Sequence, residues 1–130
     1  GLVPIVSSLR HFSLTEFRHP ELVDAEAGRF LDDVRESYGG PLVLTSDART
    51  KVENDAASGS SPTSWHLQGR AFDLRWIPDP AALWRFVDAV YLVAGTHPIE
   101  LELVNSKSDQ HMHIAYLPEG KTSRLLIRAD

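Results

Sequence analysis

The sequence contains no cysteine, which removes disulfides, thiol nucleophiles and thiolate metal ligands from consideration. The redox compartment is therefore unreadable, because a chain without thiols folds equally well in reducing and oxidising surroundings. Basic residues are also scarce: 13 Lys and Arg stand against 18 Asp and Glu, a formal net charge of -5. Nucleic-acid binding depends on basic surface that displaces counterions from phosphates, so no nucleic-acid partner is expected. The same balance gives no support for binding to anionic membranes. Long apolar runs are missing as well. The longest, around Ala89 to Ala94, falls far short of the roughly 20 residues that a spanning helix needs. No Gly-x-Ser-x-Gly elbow occurs, which leaves a serine hydrolase little to stand on. No leader segment is visible, and a chain that begins at Gly1 rather than Met leaves its destination open.

What remains is an ordinary globular composition, 42% hydrophobic and 24% charged over 130 residues. That length suits one domain able to bury about two-thirds of its unfolded surface around a single core. Gly1 to Arg10 reads as an irregular lead-in or an edge strand. Ser13 and Glu16 fit a capping box over one short helical turn. From Asp24, apolar Ala27, Phe30, Leu31, Val34 and Tyr38 recur every three or four residues, which predicts a helix ended by Gly39-Gly40. Pro41 to Thr45 reads as a buried strand, and Ser46 to Thr63 as a long polar loop. Arg70 to Trp76 alternates as a strand does. Asp79-Pro80 starts a second helix whose stripe is Leu83, Phe86, Val87, Val90 and Ala94. Strands follow at Ile99 to Val104, His111 to Tyr116 and Arg124 to Arg128. The order predicts an α+β fold, a small antiparallel sheet with helices on one side.

Within this frame Ser64-Trp65-His66-Leu67-Gln68-Gly69-Arg70-Ala71-Phe72-Asp73 stands out. A histidine and an aspartate lie seven positions apart, with Gly69 permitting a tight path between them. His111-Met112-His113 offers a further imidazole. Residues two apart on a strand share a face, so His111 and His113 point together, away from Met112 and Ile114. Asp73 likewise points away from Phe72 and Leu74. If the two strands pair, Asp73 and His113 sit side by side on the face opposite the core, above a cleft that His66 enters from its loop. Two histidines and a carboxylate form the three-ligand set of catalytic zinc sites, which keep a position open for water. His-x-His on a strand is by itself common surface decoration, and His19 and His97, beside prolines, carry no assigned role.

Ser64-x-His66-x-x-Gly69-x-Ala71-x-Asp73 followed by His111-x-His113 resembles the zinc D-Ala-D-Ala carboxypeptidases and peptidoglycan endopeptidases, the M15 peptidases, in their small phage and bacterial forms. Phe12-Ser13-Leu14-Thr15-Glu16-Phe17 resembles that family's opening segment. Leu44 to Arg49 resembles its strand ending in Ser-x-x-Arg, and Asn54 falls where the family commonly has asparagine. The resemblance runs from about Phe12 to Tyr116 and implies one M15-like peptidase domain over residues 1–130. It implies that His66, Asp73 and His113 hold Zn2+, that His111 bonds substrate or the developing oxyanion, and that Arg49 binds a substrate carboxylate or carbonyl. Without the resemblance, Arg49 reads equally well as an ion-pair partner of Asp47 or Glu53. The implied substrate is a peptidoglycan stem peptide. The implied setting is the periplasm, the cell exterior or a phage particle, with a larger phage or wall assembly as further partner.

The resemblance implies a carboxylate shortly before the second zinc histidine, in the family often three residues upstream, as the base that takes the proton of the attacking water. Here that position is Gln110, which cannot be a base. Asp109 is the first replacement candidate and Glu102, on the preceding strand, the second. Asn105 stands where relatives such as hedgehog domains carry their glutamate. A chain that had lost the base would remain a zinc-containing wall-binding or phage structural module, which is the alternative to a peptidase.

Overall fold

A computed structural model describes residues 4–57 and 64–130. The first helix, α1, spans Ala25–Tyr38; Asp24 caps it by accepting from the Ala27 N–H at 3.0 Å, and Gly39 ends it in the left-handed region. The long helix α3 covers Pro80–Ala94, with Asp79 as its cap and Gly95 at its end. Between them lie β1 (Leu44–Ser46), the short helix α2 (Lys51–Ala56) and β2 (Ala71–Arg75); β3 (Ile99–Asn105), β4 (Gln110–Tyr116) and β5 (Arg124–Ala129) follow α3. The five strands form one sheet in the order β1-β2-β4-β3-β5. Among the described residues, no helix is long and apolar enough to cross a membrane.

Strand pairing gives the sheet two chemically opposite faces. Phe72, Ile114 and Leu101 lie directly across from one another on β2, β4 and β3, and so do Leu74, Met112 and Leu103. These rows are buried against α1 and α3, through Phe30, Leu31 and Val34 of one helix and Phe86 and Val90 of the other. One residue out of phase run Asp73, His113 and Glu102, flanked by Arg75, His111 and Val104. The polar row faces away from the helices because side chains alternate across a strand. The α+β architecture with helices on one side is thus as the sequence predicts.

Three local expectations change. The sheet is mixed rather than wholly antiparallel: β5 pairs with β3 in parallel, Glu100 opposite Arg124 and Val104 opposite Arg128. After the β3–β4 hairpin the chain passes the end of β3 and adds β5 to its far side, so two strands of equal direction become neighbours. The stretch read as a polar loop contains α2, started by a capping box. Glu53 N–H donates to Thr50 Oγ1 at 3.2 Å, and Thr50 N–H donates to Glu53 Oε1 at 3.0 Å. The rest of that stretch, residues 58–63, lies outside the described residues, as do residues 1–3. The lead-in forms a 3-10 turn, Ile5–Ser8, and no edge strand among its described residues. The Ser13 capping box is present, with Ser13 N–H donating to Glu16 Oε2 at 2.7 Å.

Candidate metal centre

His66 is held by a 3-10 turn, Trp65–Gln68, that enters β2. Ser64 Oγ caps the turn by accepting from the His66 N–H at 3.2 Å, and Gly69 closes it at φ +68°. Only glycine fits there. A Cβ at position 69 would stand 2.0 Å from the Leu22 carbonyl oxygen, and the Gly69 carbonyl accepts from the Asp24 N–H at 3.0 Å. The turn that carries His66 is thereby pinned to the entry of α1. The imidazole itself is buried, with Nδ1 2.7 Å from the Asp47 carbonyl oxygen. A carbonyl only accepts, so Nδ1 is the nitrogen that donates there and Nε2 is the one left to face the cluster. Nε2 lies 3.4 Å from Asp73 Oδ1.

Asp73 Oδ1 also lies 3.0 Å from Nδ1 of His113, its direct neighbour across β2 and β4. One donor atom from each of His66, Asp73 and His113 falls within 4.8 Å of the others. The three residues that the sequence nominates as ligands are therefore gathered at one point. Two neutral nitrogens and one carboxylate oxygen suit a borderline divalent ion such as zinc, with no thiol needed. Each imidazole also hands its remaining nitrogen to an oxygen behind it, Asp47 O for His66 and Glu100 Oε1, at 2.8 Å, for His113. Metal-binding histidines are usually oriented in that manner.

The local charges follow from this packing. Burial alone would raise the Asp73 carboxyl, but its bonds with His113 and His66 outweigh burial and hold it well below the usual carboxylate range. Burial would likewise lower His113, yet the hydrogen bonds to Asp73 and Glu100 raise it to about 9. The bond from His113, aided by Arg124, keeps Glu100 below its ordinary value against the opposing effect of burial. Without a metal, His113 is thus an imidazolium between two carboxylates at neutral pH.

The cluster forms the floor of an open cleft of about 710 Å³ whose walls include Arg49, Trp65, Glu102, Asp109, His111 and Arg128. Arg49 is not paired with Asp47 or Glu53. Its Nη2 donates to Asp73 Oδ2 at 3.3 Å, Nε to Ser46 Oγ at 3.3 Å, and Nη1 to Asn54 Oδ1 at 3.4 Å. A guanidinium has five N–H donors, so two remain for the cleft. His111 shares the cleft face with His113, and its Nδ1 lies 3.1 Å from Asp109 Oδ1. Glu102 sits directly opposite His113 on β3 and pairs with Arg128 Nε at 3.1 Å. Gln110 donates from Nε2 to Asn105 Oδ1 at 2.6 Å, tying together the two positions at which the family's carboxylate was sought.

Sequence reasoning missed Glu100, Arg124 and Arg128. Glu100 was within reach, since it is two residues from Glu102 and must share its face. The arginines were not, because their place depends on β5 lying beside β3. His19 and His97 are structural: His19 Nε2 meets Glu53 Oε1 at 2.7 Å, and His97 stacks on Tyr116 with ring centroids 3.7 Å apart.

Comparison with curated proteins finds no match. A family model described as Peptidase M15 matches residues 6–115, from the lead-in turn through β4. That span includes all three metal-competent side chains and covers most of the 130 residues, so the chain belongs to the M15 peptidase family, whose members depend on a metal.

Proposed function

We propose that the protein is a zinc metallopeptidase that hydrolyses peptide bonds in bacterial peptidoglycan stem peptides, as a D,D-carboxypeptidase or an endopeptidase. The observation that carries this reading is the convergence of His66, Asp73 and His113 on the floor of an open cleft walled by Arg49. His66 Nε2, an Asp73 oxygen and His113 Nδ1 would hold the ion. When bound, zinc supplies the Lewis acidity that polarises a scissile carbonyl and makes water a usable nucleophile near neutral pH.

The chain's own residues supply the rest. Arg49 is braced by Ser46, Asn54 and Asp73 and keeps donors in hand, so it orients a substrate carboxylate or carbonyl without paying much side-chain entropy. Asp109 accepts from His111 Nδ1, which leaves His111 Nε2 as the group able to take a proton from water and return it to the leaving amine. In that arrangement Asp109 serves through His111, and the pair stands in for the carboxylate missing at Gln110. Glu102 is the second candidate; its commitment to Arg128 favours the Asp109–His111 pair.

The test is hydrolysis of purified peptidoglycan and of a D-Ala-D-Ala peptide by zinc-loaded protein, with and without chelator. Chelator-sensitive release of amino groups is expected, and absence of hydrolysis from zinc-loaded protein on both substrates refutes the reading. A second reading is favoured by the Gln110–Asn105 bond: a non-catalytic zinc-containing module that binds cell wall or belongs to a phage particle. It predicts zinc and wall binding unchanged by Asp109→Ala and Glu102→Ala, with no turnover in the parent. Under either reading the protein works where peptidoglycan is exposed: in the periplasm, outside the cell or on a phage particle.

A further inference from the structure

The residues matched by the family model end at 115, yet the cleft receives two arginines from β5, which begins at Arg124. Glu100 is the link between that strand and the metal-competent cluster. It is buried, although it is a carboxylate on the open face of the sheet. Its register partner on β4 is Ala115, whose small side chain leaves room for Glu100 to lean diagonally toward His113. One oxygen, Oε1, lies 2.8 Å from His113 Nε2, and the other, Oε2, accepts from Arg124 Nη1 at 3.3 Å. Arg124 is the direct parallel-register neighbour of Glu100. A buried carboxylate is costly unless its oxygens are satisfied. Here one oxygen is satisfied by a cation and the other by the imidazole.

We propose that Glu100, braced by Arg124 of β5, is a positioning residue that fixes His113 with its Nε2 protonated and its Nδ1 presented to the metal. The assignment rests on the metal reading above. It follows from what each atom can do. Glu100 Oε1 only accepts, so it selects the ring state in which Nε2 donates, and Nδ1 is then the nitrogen beside Asp73 Oδ1. His66 is set the opposite way, its Nδ1 donating to Asp47 O and its Nε2 facing the same oxygen. The two rings thus present different nitrogens, each chosen by the acceptor behind it. Loss of Glu100 would let the His113 ring turn over or release its bond, and a ligand free to rotate binds more weakly. Arg124 would act one step further out by holding the second oxygen of Glu100, which makes a strand beyond the matched residues part of the metal site.

The experiment measures zinc affinity by competition with a chromogenic chelator for the parent, Glu100→Gln, Glu100→Leu, Arg124→Met and the Glu100→Leu/Arg124→Met double variant. Long-range proton–nitrogen spectra of the histidine rings are recorded on the zinc-loaded proteins. Losing the partner behind a ligand weakens metal binding by about 10- to 100-fold. The expected order is roughly 100-fold for Glu100→Leu, about 10-fold for Glu100→Gln and a few-fold for Arg124→Met. The double variant should match Glu100→Leu, because Arg124 acts only through Glu100. The spectra should show His113 protonated at Nε2 in the parent, with that signal broadened or lost in Glu100→Leu. A purely structural role would leave ring state and zinc affinity of folded protein unmoved. Folded Glu100→Leu, or Glu100→Gln if the former does not fold, with affinity within twofold of the parent overturns the proposal. A parent that takes up no zinc overturns the metal reading as well, and is told apart because every variant then equals the parent.

Discussion

Replacing Gly69 by alanine tests whether the turn that carries His66 is locked as tightly as its geometry implies. Two costs add at this position. The backbone sits at φ +68°, a left-handed conformation that costs an L-residue about 1 kcal/mol or more. The new Cβ would also lie 2.0 Å from the Leu22 carbonyl oxygen and 2.9 Å from the Asp24 nitrogen. These are backbone atoms, so the turn must withdraw by more than an ångström from the α1 entry. Withdrawal breaks the Asp24 N–H bond to the Gly69 carbonyl, worth about 1 kcal/mol, and loosens the Asp24 cap, worth about 1 more. The expected loss is about 3–5 kcal/mol, a large fraction of a marginal stability. Gly120 is the control, since it has φ +87° but nothing within 4 Å of its would-be Cβ. Gly120→Ala should therefore lose only about 1 kcal/mol. Urea unfolding of both variants in chelator measures the difference without a contribution from metal. If Gly69→Ala lost no more than Gly120→Ala, the close approach to Leu22 would not exist in solution.

Three further outcomes follow from the same geometry. Without a bound metal, His113 is raised from 6.5 to about 9, so its ion pairs contribute fully below about pH 6.5 and are lost as pH rises through 9; metal-free protein should weaken over that window by about 3 kcal/mol in urea titrations, and on the proposed reading zinc uptake at pH 7.5 should release protons measurable by calorimetry in buffers of different ionisation enthalpy. Asp32 is buried, which opposes ionisation, yet bonds from the Arg10 and His11 N–H groups and from Arg10 Nε hold it below its ordinary value. Its contribution is present above the unfolded value near 4 and is lost as pH falls through the folded one, so Asp32→Asn should flatten the acid side of the stability profile and cost about 1–3 kcal/mol at pH 7. His66→Ala removes one of the three proposed ligands and should abolish stoichiometric zinc binding in the chelator competition; retention of parental affinity would place the ion elsewhere.

The candidate ligands were legible because their signals are local. The period-two alternation of β2 and β4 separates Asp73 and His113 from Phe72, Leu74, Met112 and Ile114, and pairing the strands then brings Asp73 beside His113. Helices α1 and α3 were legible through their apolar stripes and their Asp caps. The short helix α2 carried an equally local signal, Thr50-x-x-Glu53, that the polar character of its surroundings masked. By contrast, nothing in Arg124 to Ala129 specifies parallel pairing with β3. That choice depends on where the chain crosses after β4, and with it went the contributions of Arg124 and Arg128. The partners of Arg49 were equally out of reach, because the sequence offered nearby Asp47 and Glu53 while the fold supplied Asp73 from 24 residues away.

The pairing that builds the core also builds the site, and neither can shift without the other. Phe72, Ile114 and Leu101 meet across three strands one residue out of phase with Asp73, His113 and Glu102. A slip of one residue between β2 and β4 would turn a charged row toward α1 and α3 and bring the apolar row into water. Burying even one unpaired carboxylate costs several kcal/mol, which outweighs anything the slipped register could regain in hydrogen bonds. The apolar row therefore fixes the register, and the register places Asp73 Oδ1 between the two imidazoles. Only His66 stands outside this arrangement. Its place rests on a 3-10 turn pinned through Gly69 to the start of α1, so ligand geometry should be more sensitive to substitution around Gly69 and Leu22 than to conservative changes within the sheet core.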